Sequence, residues 1–333
     1  MREWIGVWLK DRWCYERAFR SQQLRYLQLT NRQERLSPAP DGSGFACCWS
    51  YTSRLHAPMI QPRLGQRLLQ RCLSDAPIEC SNEAPPTSEH PQVTVLIGHR
   101  GFERLPLLLA TLESFAAQRD VIFECIVIEQ DTEPKIKPHL PGWVGHIHCP
   151  TDDSGSPYNR SRAFNMGARH ANAPILLLHD NDMLVPCNYL FRILEKLKLG
   201  YHVVNSKRFI FYLSQSHSAM ILSGKAFYDS LPAECIVQNL EAGGSMAILR
   251  SAYWCIGGMD ESFVGWGGED NEFWDRCQTL NCWIWGYEPI VHLWHSSQPL
   301  KHTSNNPNLV RANERLHLSR QVRIDQLKAA NLR

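Results

Sequence analysis

The chain has 333 residues, with 35 basic and 33 acidic side chains, and 44% of its residues are hydrophobic. This composition is typical of a globular protein and excludes disorder, collagen and a coiled coil for most of the chain. The net charge of +2 gives no reason to expect a nucleic-acid partner. No apolar run reaches the roughly 18 residues that a membrane-spanning helix needs.

The first ninety residues form a basic N-terminal extension that ends in a proline-rich linker over Ala76–Gln92. Up to Arg71 this region has twelve basic and five acidic side chains, a net charge of +7. Aromatic and apolar side chains near helical spacing lie between the arginines: Trp4, Ile5, Trp8, Tyr15 and Phe19. Two interpretations stay open. The segment is a helix packed on the neighbouring domain, or a basic amphipathic helix that makes peripheral contact with an anionic membrane surface or another polyanion.

The twelve cysteines indicate the redox compartment. Their spacings match neither a zinc site nor a disulfide framework, and several lie in apolar runs, as Cys125 does. The first residues also lack the small-residue cleavage site of a signal peptide. We therefore predict reduced cysteines and a cytoplasmic protein, peripheral to the membrane if the second interpretation of the N-terminal helix holds.

From residue 91 to about 300, strands and helices alternate. The apolar patterns predict, in chain order, a strand at Val93–Ile97, a helix at Leu105–Phe115, a strand at Phe123–Ile128, a helix at Arg162–Ala171 and strands at Ile175–Leu178 and Met246–Leu249. Continuous apolar strands separated by helices predict an α/β fold with a mostly parallel central sheet and helices on both faces. Residues 301–333 are expected to form a C-terminal loop and helix.

Polar residues that follow the strands are the first candidates for chemistry, because ligands of such sheets bind beyond the carboxyl ends of the strands. Asp180 and Asp182 directly follow a predicted buried strand, and two carboxylates one residue apart suit Mg²⁺ or Mn²⁺. The same Asp-x-Asp spacing is also common in ordinary turns. Arg160, at the entry of a predicted helix, suits a phosphate-bearing ligand.

A second acidic segment lies at Gly265–Phe273, where glycines surround Trp266 and precede Glu269 and Asp270. The glycines permit close approach of a ligand, the indole offers a flat face for a sugar ring, and one carboxylate could act as a general base. An alternative is a glycine-rich turn with acids in the first turn of a helix. Gly244, before the last predicted strand, would let the backbone pass close to a bound sugar.

Together these motifs resemble the GT-A, Rossmann-like fold of the inverting β-1,4-galactosyltransferases and of chondroitin-polymerase-like enzymes, glycosyltransferase families 2 and 7. The resemblance runs from about Gln92 to Asn308. It is carried by five segments in the family's order: Gly98-His99-Arg100, Tyr158-Asn159-Arg160 with Asn165-Met166-Gly167, Asp180-Asn181-Asp182, Gly265-Trp266-Gly267-Gly268-Glu269-Asp270 and His292-Leu293-Trp294-His295.

The resemblance implies a role for each matching position. Asp270 would be the catalytic base, and Trp266, Gly267, Gly268 and Glu269 would bind the acceptor. The donor nucleotide would contact His99, Arg100, Glu129, Asp131, Tyr158, Arg160, Asp180 and Gly244. Asp182, Asp180 and His295 would hold a divalent cation, Mn²⁺ or Mg²⁺, with His292 as a further candidate ligand.

The expected function is metal-dependent inverting transfer of a hexose or N-acetylhexosamine from a UDP-sugar to a hydroxyl of a glycan or glycoconjugate. Two alternatives stay open: a retaining enzyme like the polypeptide N-acetylgalactosaminyltransferases, which usually have Asn where this chain has Asp270, and a non-catalytic relative that binds sugar nucleotides. The segment Ser296–Asn308 either closes over the donor or is a plain connector.

Overall fold

A computed structural model describes residues 5–21, 23–49, 52–153, 155–297 and 306–331. Thirteen strands are found in these ranges: β1 (Arg35–Pro38), β2 (Phe45–Cys48), β3 (Val93–His99), β4 (Phe123–Glu129), β5 (Val144–His148), β6 (Ile175–His179), β7 (Met183–Leu184), β8 (Val203–Val204), β9 (Lys207–Tyr212), β10 (Cys235–Gln238), β11 (Ser245–Leu249), β12 (Cys282–Trp283) and β13 (Glu288–His292).

Eleven α-helices are found in the same ranges: α1 (Arg12–Arg20), α2 (His56–Ile60), α3 (Pro62–Asp75), α4 (Leu105–Ala116), α5 (Arg160–His170), α6 (Tyr189–Lys198), α7 (Gln215–Leu222), α8 (Arg250–Cys255), α9 (Glu269–Cys277), α10 (Pro307–His317) and α11 (Arg320–Asn331). A π-helical segment, Val7–Asp11, leads into α1, and 3₁₀ turns occupy Arg25–Gln28 and Lys137–His139. None of the described helices is both long and apolar enough to cross a membrane.

The central sheet has seven strands in the order β12-β8-β11-β6-β3-β4-β5. Strands β3, β4, β5 and β6 run parallel, whereas β11 pairs antiparallel with both β6 and β8. The predicted mostly parallel sheet is therefore confirmed. The predicted strands differ from the observed ones only at their ends, because ladder pairing extends β3 to His99 and β4 to Glu129.

Helices cover both faces of this sheet, as predicted. Along β3, Val93, Val95 and Ile97 belong to the core under α4, while Leu96 belongs to a second core under α5, α8 and α9. Alternate residues of a strand point to opposite faces, so a strand buried on both sides must be apolar throughout. This geometry explains the continuous apolar runs in the sequence.

A second sheet, in the order β10-β9-β13-β7, lies beside the first and receives the N-terminal region. Arg208, fully buried on β9, donates to the carbonyl oxygens of Leu27 (2.6 Å) and Leu29 (2.8 Å). Tyr15 and Ala18 of α1 are buried in the same core as β9 and β13. The interpretation of a packed helix thus describes one face of the segment. Trp4 lies outside the described residues.

The C-terminal helices pack against α9 through a buried ionic network. Arg323 of α11 donates to Glu272 of α9 at 2.8 Å, and Arg276 donates to the same carboxylate with contacts of 2.6–3.0 Å. All three side chains are essentially inaccessible to solvent. Helix α9 is thereby fixed to the end of the chain. The middle of the predicted loop, residues 298–305, lies outside the described residues.

Candidate active site

One guanidinium joins the two acidic segments at the carboxyl edge of the central sheet. Arg160 donates to Asp180 Oδ1 from Nε (3.0 Å) and Nη2 (2.6 Å), and its Nη1 donates to Asp270. Asp180 follows β6, and Asp270 lies in the first turn of α9. Residues distant in sequence are therefore brought into one crevice.

Local capping places Arg160 at the first position of α5. The side chain of Asn159 accepts a hydrogen bond from the Arg162 amide (2.9 Å), so the helix begins two residues before the predicted start. The Asn159 amide group also donates to Glu261 O (2.8 Å). The start of α5 thus aims the arginine along the sheet edge toward both carboxylates.

A second cluster, made of Asp182, His292 and His295, could hold a metal ion. One potential ligand atom from each residue lies within 4.8 Å of the others. His292 Nε2 is 3.6 Å from Asp182 Oδ1, and His295 Nε2 is 3.3 Å from Asp182 Oδ2. Pairing of β13 with β7 positions His292, because His292 lies opposite Met183 in that ladder.

The donor set of this cluster fits one of the two predicted ions better than the other. Mg²⁺ favours oxygen ligands alone, so two imidazoles beside one carboxylate indicate a transition-metal ion, the class to which Mn²⁺ belongs. Asp180 was also expected to bind the metal, but it is not a member of the cluster and its Oδ1 accepts from Arg160. His292 is the third member in its place.

Arg104, which the sequence motifs did not single out, lies beside the same cluster. Its Nη2 is 2.8 Å from His295 Nδ1 and its Nη1 is 3.5 Å from Asp182 Oδ2. The residue precedes α4, in the loop after β3. Arg104 is a polar residue in the loop after a predicted strand. This position alone could have identified it as a candidate site residue.

His99 has a different environment from the one expected of a nucleotide ligand. The ring is buried, with Nδ1 2.8 Å from Asn181 Nδ2 and Nε2 2.8 Å from Gly101 O. Burial lowers the pKa of His99 to about 4, so the ring is neutral, donating from Nε2 and accepting at Nδ1. In this arrangement His99 holds Asn181, between the two aspartates, and has no ring nitrogen left for a nucleotide.

Glu129 and Asp131 serve the backbone of the loop after β4. Glu129 is fully buried and accepts from the amides of Lys135 (2.8 Å) and Ile136 (3.1 Å), with His146 Nε2 at 2.7 Å from its other oxygen. Asp131 accepts from the Thr132 amide at 2.7 Å. Both oxygens of Glu129 therefore have protein partners, and its expected contact with the base or ribose stays a prediction. Sequence position alone could not reveal these local partners.

Arg100 and Tyr158 have polar atoms without a protein partner among the described residues. Arg100 Nη1 donates to Ser156 O, but its buried Nη2 has no acceptor, and the buried Tyr158 hydroxyl has no hydrogen bond. Burying such groups costs free energy unless a partner is supplied. A polar ligand bound here would supply that partner.

Gly98 and Tyr158 touch, and their contact yields a testable prediction. A Cβ added at Gly98 would lie 2.1 Å from the Tyr158 hydroxyl oxygen but 3.4 Å from ring atom Cζ. We expect Gly98→Ala to lower the free energy of unfolding by about 1–3 kcal/mol through overpacking. Gly98→Ala combined with Tyr158→Phe should recover most of that loss. Urea denaturation measures both effects.

The matched control for this pair is Tyr158→Phe alone. Its effect on stability should be small, because the hydroxyl has no protein partner to lose. A double variant no more stable than Gly98→Ala would contradict the steric explanation.

The glycine-rich segment before α9 adopts conformations that its sequence requires. Gly265, Gly267 and Gly268 have φ angles of +88°, +101° and +88°, which other residues rarely adopt. A Cβ on Gly268 would also lie 2.9 Å from Asn308 O. The loop carries Trp266, whose side chain is partly exposed at 37%. The interpretation of a glycine turn leading into a helix therefore describes the backbone, and it does not account for the exposed indole between the glycines.

Glu269 and Asp270 lie in an environment that favours protonated carboxyl groups. Burial, with the Asp270 charge as the next cause, raises the pKa of Glu269 to about 8. Its buried Oε2 has no partner among the described residues. Burial also raises the pKa of Asp270, although the Arg160 charge opposes the shift. A raised pKa makes a carboxylate a better proton acceptor.

The Glu269 shift predicts a pH-dependent stability difference. The folded chain holds this proton more tightly than the unfolded chain, so stability falls as pH rises from the usual value of 4.5 to about 8. Glutamine does not ionise. We expect Glu269→Gln to melt at a higher temperature than the unchanged protein at about pH 9 and at a similar temperature at about pH 4.

The exposed Glu314 provides a control, because Glu314→Gln should show no such divergence. Thermal melts of the three proteins across this pH range give the comparison. Parallel curves for the unchanged protein and Glu269→Gln would contradict the assigned shift.

Gly243, Gly244 and Lys207 form the floor beneath the acidic groups. A Cβ on Gly243 would lie 2.8 Å from Asp270 Oδ2, and Gly244 O accepts from the Asp180 amide at 2.8 Å. Lys207, fully buried on β9, donates from Nζ to Ser245 O at 2.6 Å. Burial lowers the pKa of Lys207 to about 7, opposed by the charges of Asp270 and Asp180. The sequence analysis missed this lysine, since nothing in its pattern separates it from a surface residue.

Comparisons with known proteins agree with this geometry. Residues 102–257 match the family model for glycosyl transferase family 2, and residues 238–296 match the model described as the N-terminal domain of galactosyltransferase. N-acetylgalactosaminyltransferase 6 of Drosophila melanogaster is 27% identical in an alignment of length 139 that covers 37% of this chain. The chain spans 20% of that relative's length.

Two solved structures illustrate the similarity. The catalytic domain of Drosophila β1,4-galactosyltransferase 7, in complex with xylobiose, has a TM-score of 0.39 and 16% identity over 69% of this chain and 82% of its own. GalNAc-T7 with UDP, GalNAc and Mn²⁺ has a TM-score of 0.48 and 15% identity over 68% of this chain and 48% of its own. Because both TM-scores are below 0.5, no conclusion about this chain is drawn from these two structures.

The predicted resemblance is thus confirmed by the two overlapping family matches. They cover the residues that carry the DxD-like segment, the glycine-tryptophan-acid segment and the final histidines. The matches indicate a glycosyltransferase.

Proposed function

We propose that the protein is a metal-dependent, inverting glycosyltransferase that moves a hexose or N-acetylhexosamine from a UDP-sugar to a hydroxyl of a glycan or glycoconjugate. The observation that carries this proposal is the contact of Arg160 with both Asp180 and Asp270. It brings the donor-side and acceptor-side acidic segments together at one crevice. Direct displacement needs both groups around a single anomeric carbon.

Positive charge at one end of the crevice would stabilise the leaving diphosphate. Asp182, His292 and His295 would hold Mn²⁺, which when bound neutralises charge on the diphosphate oxygens. Arg104 contacts that cluster and Arg160 contacts Asp180 and Asp270, so each could donate to a phosphate oxygen. The unpartnered Nη2 of Arg100 adds a further donor near the Tyr158 loop.

Asp270 is our candidate for the base that takes the proton from the acceptor hydroxyl. Its present partner, Arg160, also contacts Asp180. A diphosphate bound to Arg160 would compete with Asp270 for the guanidinium. The contact between Arg160 and Asp270 would then weaken. The carboxylate would then regain its basicity when the donor is in place. Trp266 and Glu269, beside it, would contact the acceptor sugar.

The first alternative is a retaining enzyme like the polypeptide N-acetylgalactosaminyltransferases. The similarity to the Drosophila N-acetylgalactosaminyltransferase supports keeping this alternative. The aspartate at position 270, where those enzymes usually have Asn, favours inversion. The second alternative, a non-catalytic sugar-nucleotide-binding protein, is less well supported because the chain has both the candidate metal ligands and the candidate base.

A cytoplasmic location stays a prediction.

The decisive experiment is a screen of UDP-sugars with Mn²⁺, Mg²⁺ and chelator, followed by NMR of the first transferred product. We expect metal-dependent consumption of at least one donor and an inverted anomeric configuration. Retention would favour the first alternative. Donor binding without hydrolysis or transfer, for every donor and a broad acceptor panel, would favour the second.

A further inference from the structure

The N-terminal helical segment exposes a row of large apolar side chains. Ile5, Trp8, Leu9 and Trp13 are 52%, 44%, 65% and 70% exposed. Ile5, Leu9 and Trp13 are four residues apart, a spacing that places side chains on one side of a helix, and Trp8 adjoins Leu9. A contiguous exposed apolar row is unusual on a soluble surface and marks an interaction site.

This row is separate from the face that packs on the protein. Val7, Tyr15 and Ala18 are at most 5% exposed and belong to the core beside the second sheet. The contact of the helix with the body is therefore already made by other residues. Ile5, Leu9 and Trp13 are not part of that core.

The acidic and basic side chains of the same segment differ in their salt bridges. Asp11 and Glu16 form salt bridges with Arg32 and Arg67 of the body. Among the described residues no salt bridge involves the exposed cations that remain, which are Lys10, Arg12, Arg17, Arg20 and Arg25. Both acids are therefore paired with cations of the body, whereas these five cations have no salt-bridge partner among the described residues.

An open cleft of about 680 Å³ lies beside the apolar row. It is lined by Trp13, Glu16, Arg17, Arg20, Ser21, Gln23 and Arg25. Three arginines and the hydroxyl of Ser21 are donors suited to phosphate oxygens. An indole at the rim matches the preference of tryptophan for the boundary between lipid headgroups and acyl chains.

We propose that this face, defined by Ile5, Trp8, Leu9, Trp13, Arg17 and Arg20, docks on an anionic phospholipid bilayer. The apolar row would enter the headgroup boundary, and the cations would contact lipid phosphates. A nucleic acid would be attracted by the cations but would leave the aliphatic side chains of Ile5 and Leu9 in water. The combined apolar and basic character therefore favours a lipid surface.

The test is sedimentation of the full chain with vesicles of phosphatidylcholine, with or without about one third phosphatidylglycerol. We expect binding to the anionic vesicles to be at least about tenfold tighter, and weaker at high salt. Equal binding to both vesicle types, or none to either, would overturn the proposal.

Two paired substitutions separate the apolar and basic contributions. Leu9→Glu with Trp13→Glu, and Arg17→Glu with Arg20→Glu, should each weaken binding at least about tenfold. Matched controls are Phe227→Glu, at the 81% exposed Phe227, and Lys198→Glu with Lys225→Glu, also exposed. All these sites are on the surface, and circular dichroism verifies the fold. Controls that lose binding as strongly as the test variants would overturn the proposal.

Other occupants of this face give distinct results. If a second copy covers it, light scattering will show a dimer that Leu9→Glu with Trp13→Glu converts to a monomer. If a nucleic acid covers it, single-stranded RNA will bind more tightly than the vesicles and displace them. Either result would overturn the proposal, and neither depends on glycosyltransferase activity.

Discussion

Asp270→Asn is expected to lower sugar transfer at least ~10²-fold, the effect of losing a general base. Asparagine keeps the size of the side chain and can still accept a hydrogen bond from Arg160, so the crevice should keep its shape. Binding of UDP should stay near normal. Initial rates under saturating donor, together with calorimetric titration of UDP, separate chemistry from binding.

Asp325→Asn is the matched control, because Asp325 is exposed on α11 and contacts only Gln321 among the hydrogen bonds described. Its transfer rate should equal that of the unchanged protein. A turnover by Asp270→Asn close to that of the control would remove Asp270 from its proposed role. Glu269, whose buried Oε2 has no hydrogen-bond partner among the described residues, would then be the next candidate.

Asp182→Ala is expected to abolish Mn²⁺-dependent binding of UDP. Asp182 contributes the carboxylate shared by both histidines in the cluster, at 3.6 Å from His292 and 3.3 Å from His295. Without it, two neutral imidazoles would have to hold the ion alone, and the charge on the diphosphate would lose its counterion. Titration of UDP in the presence and absence of Mn²⁺ measures the difference.

Two further variants locate the site. His295→Ala should weaken Mn²⁺-dependent UDP binding strongly, and His292→Ala should do so as well if it is a ligand, whereas exposed His317→Ala should not. An unchanged titration for Asp182→Ala would contradict the metal assignment. An effect of His295→Ala without one of His292→Ala would restrict the site to the ligands first expected from the sequence.

The sequence predicted the central fold well because its strongest signal is burial. Strands such as β3 must be apolar on both faces, and apolar residues recur at helical spacing in the helices between the strands. The short strands β7 and β8 carry no such signal, since two residues cannot show a period. Tertiary pairing alone defines them, and β7 is the strand that positions His292.

The sequence indicated which segments of the candidate site lie together, but it did not indicate the partner of each side chain. The motifs indicated which segments meet, and Asp180 and Asp270 do meet at Arg160. The motifs did not reveal that His99 and Glu129 make local hydrogen bonds. They also did not single out Arg104 or Lys207, which lie near the acidic groups. Side-chain direction depends on packing that no linear pattern encodes.

The ionic network under α9 has a consequence for anyone who shortens this chain. Arg323 belongs to the last helix, yet its partner Glu272 lies three positions from Glu269 and two from the proposed base. Removing the tail would leave Arg276 as the remaining ionic partner of Glu272 among the described residues, and the buried network would lose its contact from α11. Truncation of the C-terminus would thus weaken the packing that positions α9 and the proposed base.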